Sequence, residues 1–207
     1  MRVLIFCLMF VSVPLFGESG FELWLEGGMT SNSVTLPWSG KSDAINARLL
    51  SLRALWTYRQ YNSGLTISCG LSRPAHGWQE KHSGSVPGPG VIYVQTIGVR
   101  YEPSLFFGLH YRAPGPGKTS FSFGADLRHS RAKVSGGEIY IGFIDLGAME
   151  FIPSMQLAWN VFNRVNIGAR LGYRFQLHKD MKRAEWYDIY QNNPEYCIVV
   201  GWRFGRS

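Results

Sequence analysis

The segment that most constrains the fold is Arg164–His178, in which apolar and polar residues alternate strictly. Its odd positions, Val165 to Leu177, are apolar, and its even positions are polar or glycine. A period of two is typical of a β-strand, because successive side chains point to opposite faces. Ordinary strands have about 5–6 residues, whereas a membrane-crossing strand needs about 9–11. The segment therefore predicts a membrane-spanning strand with a polar inner face, and a half-solvated strand of a soluble sandwich is the alternative.

The same alternation recurs along most of the chain and predicts an all-β fold. The predicted strands are 21–28, 45–59, 65–72, 91–102, 105–112, 121–128, 138–146, 151–159, 164–178 and 196–204. Strands in lipid must close into a barrel, because an open sheet edge would leave backbone groups unpaired. We therefore predict a closed antiparallel transmembrane β-barrel and prefer ten strands. Eight is the alternative, since 138–146 is apolar on both faces and Pro153 weakens the start of the next strand.

The predicted connections fall into two length classes. Short connections at 60–63, 102–104, 129–137 and 160–164 mostly alternate with longer ones at 31–43, 73–90 and 179–194. Bacterial outer-membrane barrels have short periplasmic turns and longer external loops. This asymmetry predicts surface-exposed loops and periplasmic termini.

The N-terminal segment has the layout of a secretory signal peptide. Arg2 precedes an apolar run from Val3 to Val13, and a Pro14 break leads to the small-residue end at Gly17–Ser19. We assign residues 1–19 to the signal peptide and residues 20–207 to a single barrel domain. No later window is apolar enough over about 18 residues to predict a transmembrane helix.

The charge and cysteine content narrow the choice of partners. The formal net charge is +7, and for an exported chain this indicates anionic lipid or lipopolysaccharide headgroups, not nucleic acid. Basic residues of the predicted loops contribute to this positive charge: Lys81, His82, Lys179, Lys182 and Arg183.

Cys69 and Cys197 have opposite alternation phases, which argues against a disulfide or a metal pair. We predict no cofactor and no metal, and the oligomeric state stays open.

The signal peptide, the repeated alternation and the closing strand YCIVVGWRF at 196–204 resemble small bacterial outer-membrane β-barrels of the OmpA/OmpX/OmpW type. The resemblance covers essentially the whole mature chain. It implies an outer-membrane location and a partner in the outer-membrane assembly machinery. The size is similar to that of the OmpW group, which implies porin-like passage of small solutes or hydrophobic molecules. The alternative is a structural or surface-interaction barrel with a plugged lumen, serving adhesion or the binding of lipopolysaccharide or a host factor.

Two sets of candidate site residues follow from the alternation phases. The predicted lumen-lining residues are Arg53, Arg59, Arg100, Arg112, Arg128, Arg170, Arg174, Arg203, Glu22, Glu26, Glu102 and Asp126. The predicted aromatic girdle consists of Trp56, Tyr58, Tyr101, Tyr111, Trp159, Tyr173, Trp202 and Phe204. Buried charges must be paired, so the lumen set is either a packed salt-bridge network or a polar path with anion preference.

An outer-membrane hydrolase is the third functional alternative. Rim candidates for such chemistry are His76, His82, Asp145, His178 and Asp180. Asp126, His129 and Ser130 resemble a nucleophile–base set, but neighbouring strand residues point to opposite faces and do not converge. We therefore assign no catalytic residue and predict a protein that is not an enzyme.

Overall fold

The computed structural model describes residues 18–35, 42–60, 63–74, 80–88, 91–136, 143–162, 164–179 and 193–204. Its strands are β1 (Glu18–Thr35), β2 (Ser42–Gln60), β3 (Ser63–Pro74), β4 (Glu80–Gly88), β5 (Val91–Tyr101), β6 (Ser104–Pro114), β7 (Thr119–Gly136), β8 (Phe143–Phe162), β9 (Val165–Lys179) and β10 (Asn193–Phe204). The described part of the chain contains no helix that is long and apolar enough to span a membrane.

Eight of these strands close into an antiparallel barrel, in the order β1, β2, β3, β6, β7, β8, β9, β10 and back to β1. The closing contact pairs Phe21 with Phe204 and continues to Thr30 with Glu195. The prediction of a closed antiparallel β-barrel is confirmed. The preference for ten barrel strands is wrong, and the alternative count of eight is right.

The first reason for the lower count lies at the predicted strand 91–102. β5 and β6 both run antiparallel to β7, so the chain does not reverse at 102–104 as predicted. Between the pairs Tyr101–Ala132 and Leu105–His129, three residues (102–104) face two residues of β7 (130–131), which is the register of a bulge. β5 therefore extends the wall of the barrel beyond β6. It pairs with β4, which lies inside the predicted loop 73–90.

The second reason is that the predicted strands 138–146 and 151–159 belong to one strand. β8 pairs without interruption with β7, from Ser135–Phe143 to Thr119–Trp159. Pro153 lies in the middle of β8 opposite Ala125, not at a strand start. On the other side, the described pairing with β9 omits Ile152 and Pro153. This fits a proline, which has no N–H to give to the ladder.

The connections collect at two ends of the barrel. The turn end carries the last residues of β2, β6 and β8, the first residues of β3, β7 and β9, and Glu18 and Phe204. The loop end carries the last residues of β1, β7 and β9, the first residues of β2, β8 and β10, and the paired strands β4 and β5. Residues 102–104 and 129–136 therefore lie toward the loop end, and the short turns predicted at 102–104 and 129–137 are not found there. Residues 129–136 are part of β7.

The outer face of the barrel is apolar around its whole circumference. Large apolar side chains stand exposed at every second position, for example Leu52, Leu109, Leu157 and Ile198. A soluble monomer rarely exposes a contiguous apolar surface of this kind. The outer face has the character of a surface that lies in lipid.

Candidate functional site: the barrel interior

The barrel interior is polar, charged and buried. The inward positions of the strands carry arginine, glutamate, aspartate, serine and threonine, and most of these side chains have less than a tenth of their surface exposed. Buried charges are costly unless they are paired and hydrogen-bonded. Here they form three clusters, stacked from the turn end to the loop end.

The middle cluster joins Glu26, Arg53, His110, Asp126 and Arg170. Arg53 donates from Nη1 and Nη2 to the two Asp126 oxygens, each at 2.8 Å, and from Nε to Glu26 Oε1 at 2.6 Å. Arg170 lies 2.7 Å from Asp126 Oδ2 and 3.1 Å from Glu26 Oε2. His110 Nε2 is 2.9 Å from Asp126 Oδ1. These residues come from β1, β2, β6, β7 and β9, so the cluster crosses the lumen between opposite walls.

The turn-end cluster is built around Glu22. Arg112 donates to both of its carboxylate oxygens, at 2.8 and 3.2 Å. Arg203 donates from Nε at 3.0 Å, and the indole N–H of Trp24 donates at 2.7 Å. Two-pronged pairing of a guanidinium with a carboxylate is among the stronger hydrogen-bond geometries in proteins.

The loop-end cluster is built around Arg128. Its Nε donates to Glu150 Oε2 at 2.8 Å, and its Nη2 donates to Glu195 Oε1. Ser130 donates to the same Glu150 oxygen at 2.6 Å. Arg174 Nε lies 3.5 Å from Glu150 Oε1. Both carboxylates are almost completely buried.

Apolar side chains fill the space that the ion pairs leave. Trp24 is fully buried. The guanidinium carbon of Arg53 lies over the Phe106 ring, 4.3 Å from the ring centroid. Trp24 fits because position 201 is glycine: a Cβ there would lie 2.5 Å from the indole ring. The cavity between the middle and turn-end clusters has a volume of about 10 Å³, which is room for about one water molecule.

The structure brings together nine of the twelve predicted lumen residues. They are Glu22, Glu26, Arg53, Arg112, Asp126, Arg128, Arg170, Arg174 and Arg203. Glu102 does not belong to the clusters: it lies at the bulge between β5 and β6 and forms a partly exposed ion pair with Lys133 at 3.1 Å. The side chains of Arg59 and Arg100 lie outside the described residues, and Arg100 belongs to β5, which is not a barrel strand.

Three ionisable residues of the interior clusters were missing from the predicted set. Glu195 and Glu150 stand just before the first alternating residues of the predicted strands 196–204 and 151–159, on the polar phase. Extending that phase by one residue would have found both. His110 was already on the polar phase of its predicted strand. Nothing in the sequence around His110 indicates an acidic partner, and only the fold shows Asp126 beside it.

The predicted girdle residues lie on the outer face where they are described. Tyr111, Trp159, Tyr173, Trp202 and Phe204 are exposed there, and Trp56 and Tyr58 are half-buried. Phe204 contacts Phe21 at a centroid distance of 5.8 Å near the turn end, whereas Tyr173 contacts Phe175 at 4.8 Å farther toward the loop end. The side chain of Tyr101 lies outside the described residues.

The rim candidates for catalysis do not form a site among the described residues. Ser130 points inward to Glu150, while His129 belongs to the outward phase of β7. His178 is exposed and not on the lumen face, because a register shift places it opposite the outward-phase Met149. His76, His82, Asp145 and Asp180 have side chains outside the described residues. No group of three or more potential metal ligands occurs in the described part of the chain.

Comparison with known proteins places the fold. No family model matches the chain, and no curated protein sequence matches it. The outer membrane protein OprG from Pseudomonas aeruginosa aligns with a TM-score of 0.55 at 12% identity, over 92% of this chain and 98% of that one. The chain has the fold of the small outer-membrane β-barrels. This shared fold confirms the predicted resemblance of the chain to small barrels of the OmpA/OmpX/OmpW type.

Two further solved structures share this small-barrel fold. Ail, the attachment invasion locus protein of Yersinia pestis, was solved with the heparin analogue sucrose octasulfate. It aligns with a TM-score of 0.52 at 17% identity, over 89% of this chain and 99% of that one. A major outer membrane protein from Thermus thermophilus aligns with a TM-score of 0.52 at 11% identity, over 90% of this chain and 100% of that one.

Proposed function

We propose that the protein is a bacterial outer-membrane β-barrel with a closed interior, and that it acts as a structural and surface-interaction barrel. The observation that carries the proposal is the middle cluster, in which Arg53, Asp126 and Arg170 join β2, β7 and β9 across the lumen. In this orientation the loop end faces the cell surface and the termini face the periplasm. Outer-membrane lipids surround the apolar outer face, and the outer-membrane assembly machinery inserts the chain.

The closed interior argues against the porin-like passage expected from the OmpW resemblance. A solute would have to separate Arg53 from Glu26 and Asp126, in a region where the remaining cavity holds about one water molecule. Breaking a buried ion pair costs about 3–5 kcal/mol, since it leaves an uncompensated charge. The same pairing engages the polar groups that an enzyme would need, so we also propose that the protein is not an enzyme.

Planar-bilayer recording with the refolded protein tests the closed lumen. We expect no steady conductance above that of the bare bilayer. The matched control is the double variant Arg53→Ala, Asp126→Ala, which removes one cation and one anion, keeps the net charge and widens the lumen. We expect this variant to conduct. A steady conductance from the unchanged protein would favour solute passage and contradict the closed barrel.

The loop end offers a surface for interaction. β4 and β5 raise the wall beyond β6, and β4 has β5 as its single strand neighbour among the described residues. An edge strand presents unpaired backbone N–H and C=O groups that can pair with an extended segment of another protein. This surface favours adhesion or host-factor binding as the function, and not the passage of solutes through the lumen.

We further propose that lipopolysaccharide binds the outer wall at the loop end. Arg73, Arg131 and His178 are exposed there, next to outward apolar residues such as Leu71 and Leu177. Cations placed just above an apolar lipid-facing surface suit the phosphate groups of a lipid headgroup. The neighbour Ail was solved with a polyanionic heparin analogue, which is compatible with a basic loop end in this fold.

Lipopolysaccharide binding is tested with Arg73→Gln and Arg131→Gln combined. Loss of two outward charges should weaken binding to purified lipopolysaccharide in detergent by about tenfold, which corresponds to about 1.4 kcal/mol. Arg164→Gln combined with Lys118→Gln is the matched control, because it also removes two charges and both residues are exposed at the opposite end of the barrel. Equal weakening in both variants would show that only net charge matters.

A further inference from the structure

The turn end of the barrel contains a cavity of about 360 Å³ that the interior clusters do not fill. It lies between the 115–118 turn, the β8–β9 connection and the end of β10. Its polar lining includes Arg112, Lys118, Ser120, Asn160, Asn166 and Arg203. The volume is within the range of small-ligand pockets, about 300–1,000 Å³, and is far larger than the cavity of about 10 Å³ above it.

The cavity has an excess of positive charge. Arg112, Lys118 and Arg203 line it, and Glu22 is the single carboxylate that contacts any of them within the described residues. Glu22 matches Arg112 through two hydrogen bonds. Arg203 uses only Nε, and the structure shows no hydrogen bond from its two terminal nitrogens, or from Lys118 Nζ, to any described residue. Two cations therefore face the cavity with unused donors.

Neutral donors lie beside these cations. Asn160 and Asn166 are opposite each other across β8 and β9, and both line the cavity. Asn166 is only 4% exposed, and because it lines the cavity, its side-chain amide can donate a hydrogen bond to a ligand held there.

The walls of the cavity are held in place without a ligand. In the 115–118 turn, Gly117 adopts a positive φ of 65°, which suits glycine, and Thr119 donates from Oγ1 to the Pro116 carbonyl at 2.7 Å. Asn160 N donates to the Lys118 carbonyl at 2.9 Å, which ties the turn to β8. A site whose walls are already ordered loses less entropy when it binds.

We propose that this cavity binds a small oxyanion, a phosphate or a carboxylate, between Lys118 and Arg203. A guanidinium with free terminal nitrogens suits the two oxygens of such an anion, and the lysine adds a mobile point charge. Asn160 and Asn166 donate to the remaining oxygens. The site needs neither an open lumen nor the loop-end surface. In the orientation proposed above, it opens toward the periplasm.

Titration calorimetry on the refolded full-length protein in detergent micelles tests the site. Inorganic phosphate and citrate are the two probes, at constant ionic strength in chloride. We expect saturable binding of one anion per chain, and the tighter probe identifies the ligand as a phosphate or a carboxylate. Lys118→Gln should weaken binding by about tenfold, as expected for loss of one charge-assisted hydrogen bond. Arg203→Lys should weaken it less than Arg203→Gln.

Two controls separate the site from a general effect of charge. Lys118 lies in an exposed turn, so Lys118→Gln should leave the thermal unfolding midpoint unchanged, and weaker binding then reflects the lost contact. Arg131→Gln removes the same charge from the outer face near the loop end and should not change binding. Absence of saturable binding with both probes would overturn the proposal, as would equal weakening by Arg131→Gln and Lys118→Gln.

Discussion

At the scale of single residues, Asp126 is the centre of the interior. Its two oxygens accept hydrogen bonds from Arg53 and Arg170 and contact His110. Position 108, directly opposite on β6, is glycine, and any Cβ there would overlap Asp126 Oδ1. The Asp126 carboxylate therefore depends on a neighbour without a side chain and on two cations from other walls.

Asp126→Asn should be strongly destabilising. It leaves Arg53 and Arg170 buried with Glu26 as their remaining carboxylate, and loss of one partner of a buried ion pair costs about 3–5 kcal/mol. The measurement is reversible urea unfolding in detergent or lipid vesicles. Glu102→Gln is the control, because it breaks only the partly exposed pair with Lys133, for which we expect less than about 1 kcal/mol. Equal effects would show that the middle cluster adds nothing specific.

At the scale of elements, alternation predicts strands well but does not predict their partners. β5 and β6 were predicted as two barrel strands because Glu102 and Pro103 look like a turn, and proline is common in turns. The register shows a bulge in one extended path along β7 instead. In β8, Pro153 looked like a strand boundary, but it occupies a position where pairing continues with β7.

Replacement of Glu80–Tyr101 by a short Gly/Ser linker tests this assignment. The eight barrel strands keep one another as neighbours, because within the described residues β4 and β5 pair with each other and with the last residues of β7 alone. We expect a folded barrel whose thermal unfolding midpoint is close to that of the full chain, measured by circular dichroism. Deletion of Ser63–Pro74 removes the barrel strand β3 and should prevent folding. Failure of the hairpin-deleted chain to fold would show that the barrel needs β5, contrary to the eight-strand assignment.

At the scale of the whole molecule, the chain places its charges inside and its apolar side chains outside. Apolar residues such as Leu109, Leu157 and Ile198 have more than half of their surface exposed. Water would make this arrangement unfavourable, whereas lipid supplies the apolar contacts that the outer face lacks. The long β1–β2 and β7–β8 hairpins exceed the about 9–11 residues that a tilted strand needs to cross the membrane. We expect their excess length to stand outside the bilayer.

Folding should therefore depend on bilayer thickness. The apolar band of outer-membrane barrels is about 25 Å tall, so the folded fraction should be highest in vesicles of about that hydrocarbon thickness and should fall in thicker ones. The folded fraction can be measured by circular dichroism across a series of lipids that differ only in chain length. Folding to a soluble monomer without detergent or lipid would instead support the sandwich alternative.

The amino-acid sequence by itself determined the all-β class, the facing of most barrel strands and the polar character of the interior. A period of two is a local property of the chain, so Arg53, Asp126 and Arg170 could be placed on one face without knowledge of their neighbours. The tertiary structure alone decided that eight strands close the barrel, that Arg174 contacts Glu150, and that His178 turns outward at a bulge. Strand partners and register depend on residues far apart in the chain, and alternation within one strand carries no information about them.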